Sequence, residues 1–465
     1  MSRRHTIEVG TLARAATRGL GTSVEVEGLR RLSGGASRET WSFDAVAADG
    51  ARHALVLRRD PGAHVGQVGR EAEFDLLRAV AAAGVTVPTV RFLLEPGDDL
   101  GAGFVMDRVD GETIARRILR DDAYAEARTR LTAQCGEALA RIHATPVGSL
   151  PDLDLLGPHE QVAQYRALID GFGAPHPVFE LALRWLTEHA PPMPADGPRL
   201  VHGDFRNGNL IVGPEGVRSI LDWELSHLGD PVEDLGWVCV RSWRFGVDDR
   251  RVGGFGDLPD LIAAYVAAGG APVDPEHVRY WEVFGTLKWG VICQMQCAAH
   301  EHGLVRSVEN AALGRRVAET EWDLLDLILG PDPGADPAWS ITPASAEAPH
   351  DTPSAADLVA AVREYLERDV MPATEGRVSF HARVAANVLG MVERELTIGP
   401  DAAAVVRRRL ADLLGHDAPL RTLVDDLATR IRAGADLDGA TTTALRETVR
   451  TKLAVSNPGY TGSAG

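Results

Sequence analysis

Apolar and polar residues alternate in three early stretches, VEVEGLRRL (24–32), ETWSFDAVA (39–47) and RHALVLRRD (52–60), with Gly34-Gly35 and Asp49-Gly50 between them. A period of two marks strands and the glycine-bearing pairs mark reversals, so the pattern predicts an antiparallel meander. In GREAEFDLLRAVAAAG the spacing turns helical, through Phe74, Leu77, Val80 and Ala81, and stops at Gly84. Two more strand-like pieces, TVRFLLE and GFVMDRV, complete a small sheet carrying one helix. From about 111 to 330 amphipathic helical patterns dominate, broken near 199–223 by the short apolar runs of PRLVHGDFRNGNLIV and GVRSILDW. Residues 331–353 hold six prolines and no periodicity, which reads as an exposed linker. The remainder is helical in DLVAAVREYLERDV, FHARVAANVLGMVEREL, DAAAVVRRRLADLLG, LRTLVDDLATRIRAG and TALRETVRTKLAV, a helical bundle. The expected organisation is a β-rich lobe over 1–108, a helical lobe over 109–330, a linker over 331–353 and an all-helical domain over 354–465.

Composition narrows the function classes. At 465 residues and 45% hydrophobic content the chain can build about three cores at roughly 150 residues each. A net charge of −18 has the wrong sign for binding nucleic-acid backbones or anionic bilayers, so neither partner is expected. The opening MSRRHTIEVGTLARAATRG has no apolar signal core, and no run reaches the length of a membrane span. With Cys135, Cys239, Cys293 and Cys297 too sparse for a disulfide framework, a cytoplasmic location is expected. Lysine occurs only at 288 and 452.

The sharpest chemical signal is VHGDFRNGNLIV followed by ILDWE: His202, Asp204 and Asn209 in H-x-D-x4-N spacing, then Asp222 after a second apolar run. Phosphoryl transfer from a nucleotide needs a carboxylate to take the hydroxyl proton and oxygen ligands for Mg²⁺. Asp204 suits the base, and Asn209 and Asp222 the metal. A turn over 213–216 would reverse one strand into the next and return Asp222 to the end that carries Asp204 and Asn209. Single Asp and Asn residues in glycine-rich loops are usually turn formers, so the weight rests on the whole constellation.

These motifs resemble the aminoglycoside phosphotransferase and choline-kinase-like branch of the protein-kinase fold, over about residues 25–330. More narrowly, VLRRDP, VHGDFRNGNLIV and ILDWELSHLGDPVEDLGW resemble kinase-like domains fused in other proteins to acyl-CoA dehydrogenases. The resemblance implies an α+β, bilobal protein-kinase-like fold: a small antiparallel β lobe with one helix, a large helical lobe, and here a C-terminal helical bundle. It implies ATP and Mg²⁺ as donor and cofactor, Asp204 as catalytic base, Asn209 and Asp222 as metal ligands, and His202 as a residue orienting the loop. Glu224 would reach a second metal or its water, and Asp230 and Asp234 would cap backbone amides and brace the catalytic loop. The segment Ser33, Gly34, Gly35, Ala36 and Ser37 would cover the phosphates, although Gly-Gly in a hairpin is common. Where such folds place a phosphate-holding lysine on the third strand, this chain has Arg58, which keeps the charge with different geometry and puts turnover rate in question. Its helix partner would be Glu71, with Glu73 as the fallback. The backbone around Asp107 to Val109 would meet the adenine, a contact with no side-chain signature to separate ATP from GTP.

Other signals are weaker. Cys293, Cys297 and His300 share one helix face at metal-ligand spacing, without an evident fourth ligand, and fit a buried core better. Arg241, Arg244, Arg250 and Arg251 form a basic island that would grip an anionic acceptor if it faced the cleft, against the plainer reading of surface ion pairs. The expected activity is phosphorylation of a small-molecule hydroxyl, of a hydroxyacyl-CoA or hydroxy acid by resemblance, with aminoglycoside, sugar or amino-alcohol acceptors open. The rival is a nucleotide-binding pseudokinase or scaffold, motivated by Arg58 and by a helical tail suited to oligomerisation or partner docking.

Overall fold

A computed structural model describes residues 7–32, 39–60, 69–332 and 353–460. The phosphate-loop candidates Ser33 to Ser37 lie outside the described residues. The chain forms two compact units: residues 1–158 with 191–282, and residues 159–190 with 283–465.

In the first unit five strands, β1 (Val24–Arg31), β2 (Glu39–Ala47), β3 (Arg52–Asp60), β4 (Val90–Leu93) and β5 (Ala102–Asp107), form an antiparallel sheet in the order β1-β2-β3-β5-β4. The alternation sends Phe43, Ala45, Leu55, Leu57 and Val105 to one face, where they bury Leu12, Ala15 and Ala16 of a helix over Val9–Leu20. That helix was not expected from the sequence; Arg18, in its last turn, fastens it to Glu95 at 2.8 Å and Asp98 at 2.6 Å. The helix Arg70–Ala82 meets the opposite face, with Phe74 edge-on to Phe104 of β5 at 6.0 Å.

A strand over Arg199–Val201 leads into the segment 202–209, which feeds the hairpin Leu210–Gly213 and Gly216–Ile220. The predicted reversal at 213–216 is therefore present. The bond from the Leu221 amide to the Asn209 carbonyl, 2.8 Å, closes the hairpin base and sets Asp222 beside the loop end.

The second unit is helical, with Pro177–Glu188 and Val317–Leu329 packed with Gly376–Leu414, Leu420–Arg432 and Gly439–Ser456. Two helices expected on either side of Pro400 are one helix of 39 residues, Gly376–Leu414. A proline inside a helix costs about 3 kcal/mol. Ala382, Ala386, Gly390, Ile398, Ala402, Val406, Leu410 and Leu414 nevertheless fall on one four-residue spacing across it, so a continuous buried stripe offsets the lost amide. Among the described residues no helix is long and apolar enough to cross a membrane.

Candidate active site

The segment from His202 to Asn209 hangs from a buried carboxylate. Asp234, in the first turn of the helix Val232–Cys239, accepts the amides of His202 at 2.8 Å and Gly203 at 2.9 Å. Its third partner is His143 Nε2 at 3.1 Å, whose Nδ1 meets the Tyr265 hydroxyl at 2.9 Å. Burial alone would raise the Asp234 pKa, but the His143 contact and charge, with His202, hold it below the ordinary carboxylate value. Gly203 sits at φ +78°, and a Cβ there would stand 2.3 Å from the Leu225 carbonyl oxygen, so the turn requires glycine. His202 is a strut: Nε2 donates to the Leu221 carbonyl at 3.1 Å while Nδ1 accepts the Asp204 amide at 3.2 Å. Burial lowers its pKa despite Asp234 and Asp204 nearby, which suits the neutral ring this pairing needs.

Asp204 is held on both carboxylate oxygens. Trp237 Nε1 at 2.8 Å and Arg206 Nε at 2.9 Å reach Oδ1, and Asn209 Nδ2 reaches Oδ2 at 2.5 Å. The Asn209 amide nitrogen also donates to the Asp204 carbonyl at 2.9 Å, so its oxygen is turned the other way. Arg206 lies over the Trp243 ring at 4.4 Å, and Trp243 leans on Trp237 at 5.2 Å, so these three side chains close against one another beside the carboxylate. Sequence reasoning missed Arg206 and Trp237. The signal available for Trp237 was its position three residues after Asp234, one helical turn along the same face.

Asp222 adopts a left-handed backbone, φ +66°, which is uncommon for a residue with a Cβ and clusters at functional sites. Its Oδ1 accepts Arg58 Nη2 at 3.0 Å, and the same nitrogen stands 3.3 Å from Glu73 Oε1. The expected partner Glu71 is exposed instead. Glu73 shares a stripe with Leu76, Leu77 and Val80 and so faces the sheet, whereas Glu71, two residues earlier, points away. Glu73 also pairs with Arg70, whose guanidinium forks onto Asp60 at 2.9 and 3.1 Å. Burial opposes the charge on Arg58, but Glu73, Asp222 and Glu224 outweigh it and raise its pKa. Glu224 thus contributes field at this spot. Asp230 accepts the Val232 amide at 3.1 Å, capping the helix that carries Asp234, and anchors it through His277 at 2.5 Å and Trp281 at 2.8 Å. At the candidate hinge, the Asp107 and Arg108 amides donate to Thr89 and Ala54 carbonyls, and the Asp107 carboxylate holds Arg91 at 2.6 Å. Among the described residues Val109 is the hinge position whose amide is not engaged by another backbone carbonyl.

The donor set fits a magnesium nucleotide. The Asn209 oxygen and the Asp222 carboxylate, about a third exposed, are hard oxygen ligands, and Mg²⁺ takes one or two of these with phosphates and water completing its shell. Arg58 Nε is buried without a hydrogen-bond partner among the described residues, a donor that a phosphate oxygen would satisfy. Arg58→Lys keeps the charge but removes that N–H. Free-protein stability should therefore hold or rise by about 1 kcal/mol, while ATP affinity falls on the order of tenfold. Thermal melting and calorimetric titration with Mg·ATP check both; tighter ATP binding by the lysine variant would contradict the role given to Nε.

The other candidates are absorbed by the fold. Arg241 pairs with Asp248, Arg250 with Asp257, and Arg244 and Arg251 share Glu282, so every arginine of the basic island is engaged in an ion pair within the fold. Burial pushes the Cys293 thiol up to about 12, and the His300 ring accepts the Ser307 amide at 3.1 Å.

Comparison with known proteins bears on the family and the fold. Residues 372–460 match a domain of unknown function. Mouse acyl-CoA dehydrogenase family member 10 is 34% identical over 199 residues, covering 40% of this chain and 18% of that protein. Chicken acyl-CoA dehydrogenase family member 11 is 31% identical over 259 residues, covering 51% of this chain and 31% of that protein. The chain thus spans less than a third of the length of either relative. A crystal structure of a candidate aminoglycoside phosphotransferase from Ralstonia eutropha superposes with a TM-score of 0.54 at 22% identity, covering 69% of this chain and 98% of that one, and shares the fold. Residues 28–281, more than half of the chain, match the model of the phosphotransferase enzyme family, and the chain belongs to that family.

Proposed function

We propose that the protein transfers the γ-phosphoryl group of ATP to a hydroxyl of a small molecule, a hydroxyacyl-CoA or hydroxy acid. The observation that carries the phosphotransfer reading is Asp204, fixed by three donors in a loop hung from Asp234, beside an Asn209 turned to offer its oxygen. In this reading Asp204 accepts the acceptor's hydroxyl proton as the oxygen attacks phosphorus in line. Asn209 and Asp222 would hold Mg²⁺, which when bound neutralises charge on the transferring phosphates. Arg58 binds phosphate through Nε, and Glu73 holds Arg58 in place. Arg206 brings a cation beside the base, where among the described residues its terminal nitrogens make no hydrogen bond, and so supplies charge stabilisation.

The acceptor class rests on the 31–34% identity to proteins named as acyl-CoA dehydrogenase family members, because the internal pairing of the four arginines withdraws them as an anion grip. The test is incubation with Mg·ATP and a panel of hydroxyacyl-CoAs, hydroxy acids, amino alcohols, sugars and aminoglycosides, read by mass spectrometry for a phosphorylated product. Phosphorylated hydroxyacyl-CoA or hydroxy acid is the expected result. A product confined to the other acceptors overturns the acceptor class, and nucleotide binding without any product favours a nucleotide-binding scaffold.

A further inference from the structure

The helix Val317–Leu329 carries Glu319, Glu321, Asp323 and Asp326 and no basic residue. The C-terminal segment answers each of them: Asn457 reaches Glu319 at 3.0 Å, Lys452 reaches Glu321 at 2.7 and 2.9 Å, Tyr460 reaches Asp323 at 2.8 Å and Arg446 reaches Asp326 at 3.0 Å. A second basic contact covers the helix Pro177–Glu188, where Arg432 forks onto Glu180 at 2.6 and 3.0 Å and also takes Asp170 at 2.6 Å. The Glu180 and Glu321 carboxylates are buried and each is shared, Glu180 between Arg432 and Arg166 and Glu321 between Lys452 and His176, while Arg432 and Lys452 stay partly exposed. Between the two polar contacts Pro177 and Val178 share an apolar seam with Leu410, Leu427, Leu445 and Val449. One of only two lysines in the chain is spent on this surface.

We propose that the domain of unknown function is a docking module whose partner is an acidic helix face, here that of its own chain. Its basic side chains read the carboxylates of Val317–Leu329 and Pro177–Glu188, and its apolar stripe fills the seam between them. Asp332 pairs with Arg450 and stays with the acidic helix when the chain is cut within 333–352, so recognition of this kind does not depend on that stretch and the module holds the face after the connection is cut.

The test places a specific protease site within 333–352 of the full-length protein, cleaves it, and follows the two fragments by gel filtration at micromolar concentration. Co-elution is expected. Arg432→Glu should weaken the nicked complex on the order of thirtyfold, and Arg432→Lys by no more than about threefold. Separation of the cleaved wild-type fragments while both keep their helical circular dichroism overturns the proposal. Co-elution that is indifferent to Arg432→Glu overturns the reading of the carboxylates. Circular dichroism of each uncut variant distinguishes lost docking from lost folding.

Discussion

Asp204→Ala is expected to lower kcat by about 10²- to 10⁴-fold, the usual contribution of a positioned general base, with KM for ATP changed by less than about threefold. The split follows from the geometry: Asp204 makes no contact with Arg58, Glu73 or Asp222, the residues proposed to serve the nucleotide and its metal, whose mutual contacts run through Arg58 Nη2. Alanine leaves the indole N–H of Trp237 without its acceptor, so a loss of about 1–3 kcal/mol in stability accompanies the change. Asparagine is the less clean variant. Its amide would confront the Asn209 amide across the present 2.5 Å contact, and Asn209 would rotate to relieve it, turning its own oxygen away from the metal side. Asp204→Asn should therefore raise the magnesium requirement as well as lower kcat, and Asp204→Ala should not. Steady-state kinetics over a magnesium series with the acceptor found by the panel separates the two. An alanine variant within tenfold of wild type would remove Asp204 from the reaction.

Which parts of this arrangement could be read from sequence depends on how local their causes are. The meander was legible because a period of two and the reversals between runs are local facts, and β1, β2 and β3 fall almost on the runs that display them. The hairpin after 209 was legible for the same reason, and the family resemblance because its motifs are contiguous. Glu73 was available as a charge in an otherwise apolar helical stripe, but choosing it over Glu71 needs the phase of the helix, fixed by the burial of Phe74 and Leu77 against the sheet. The helix Val9–Leu20 was legible but passed over: its apolar Leu12, Ala15 and Ala16 and its arginines Arg14 and Arg18 segregate clearly on a helical period. Arg206 and Trp237 were out of reach as a pair: they meet on one oxygen of Asp204 through a contact spanning 33 residues, and no local pattern records that meeting. The break expected at Pro400 failed for the converse reason, because a local rule yielded to packing distributed over the whole helix.

The largest stability effect is expected at Asp234, which does no chemistry. Asp234→Ala deprives the His202 and Gly203 amides and the His143 ring of their acceptor at once, in a fully buried place. Breaking a buried, hydrogen-bonded charge of this kind costs about 3–5 kcal/mol, which for a unit of this size lowers Tm by roughly 10 °C. Activity should vanish with it, since Asp204 follows Gly203 directly and its own amide is set by His202 Nδ1. Asp234→Asn supplies one oxygen where two are used, so it should fall between wild type and alanine. The pH dependence identifies the cause. The folded-state pKa of Asp234 is depressed below 3.8, so its contribution is fully present above that value and is lost as pH falls through the lower folded value. The stability gap between wild type and Asp234→Asn, measured by urea unfolding, should be constant from pH 7 to about 5 and narrow below about 4. A gap that stays constant down to pH 3 would mean that the ionised carboxylate is not what suspends the loop.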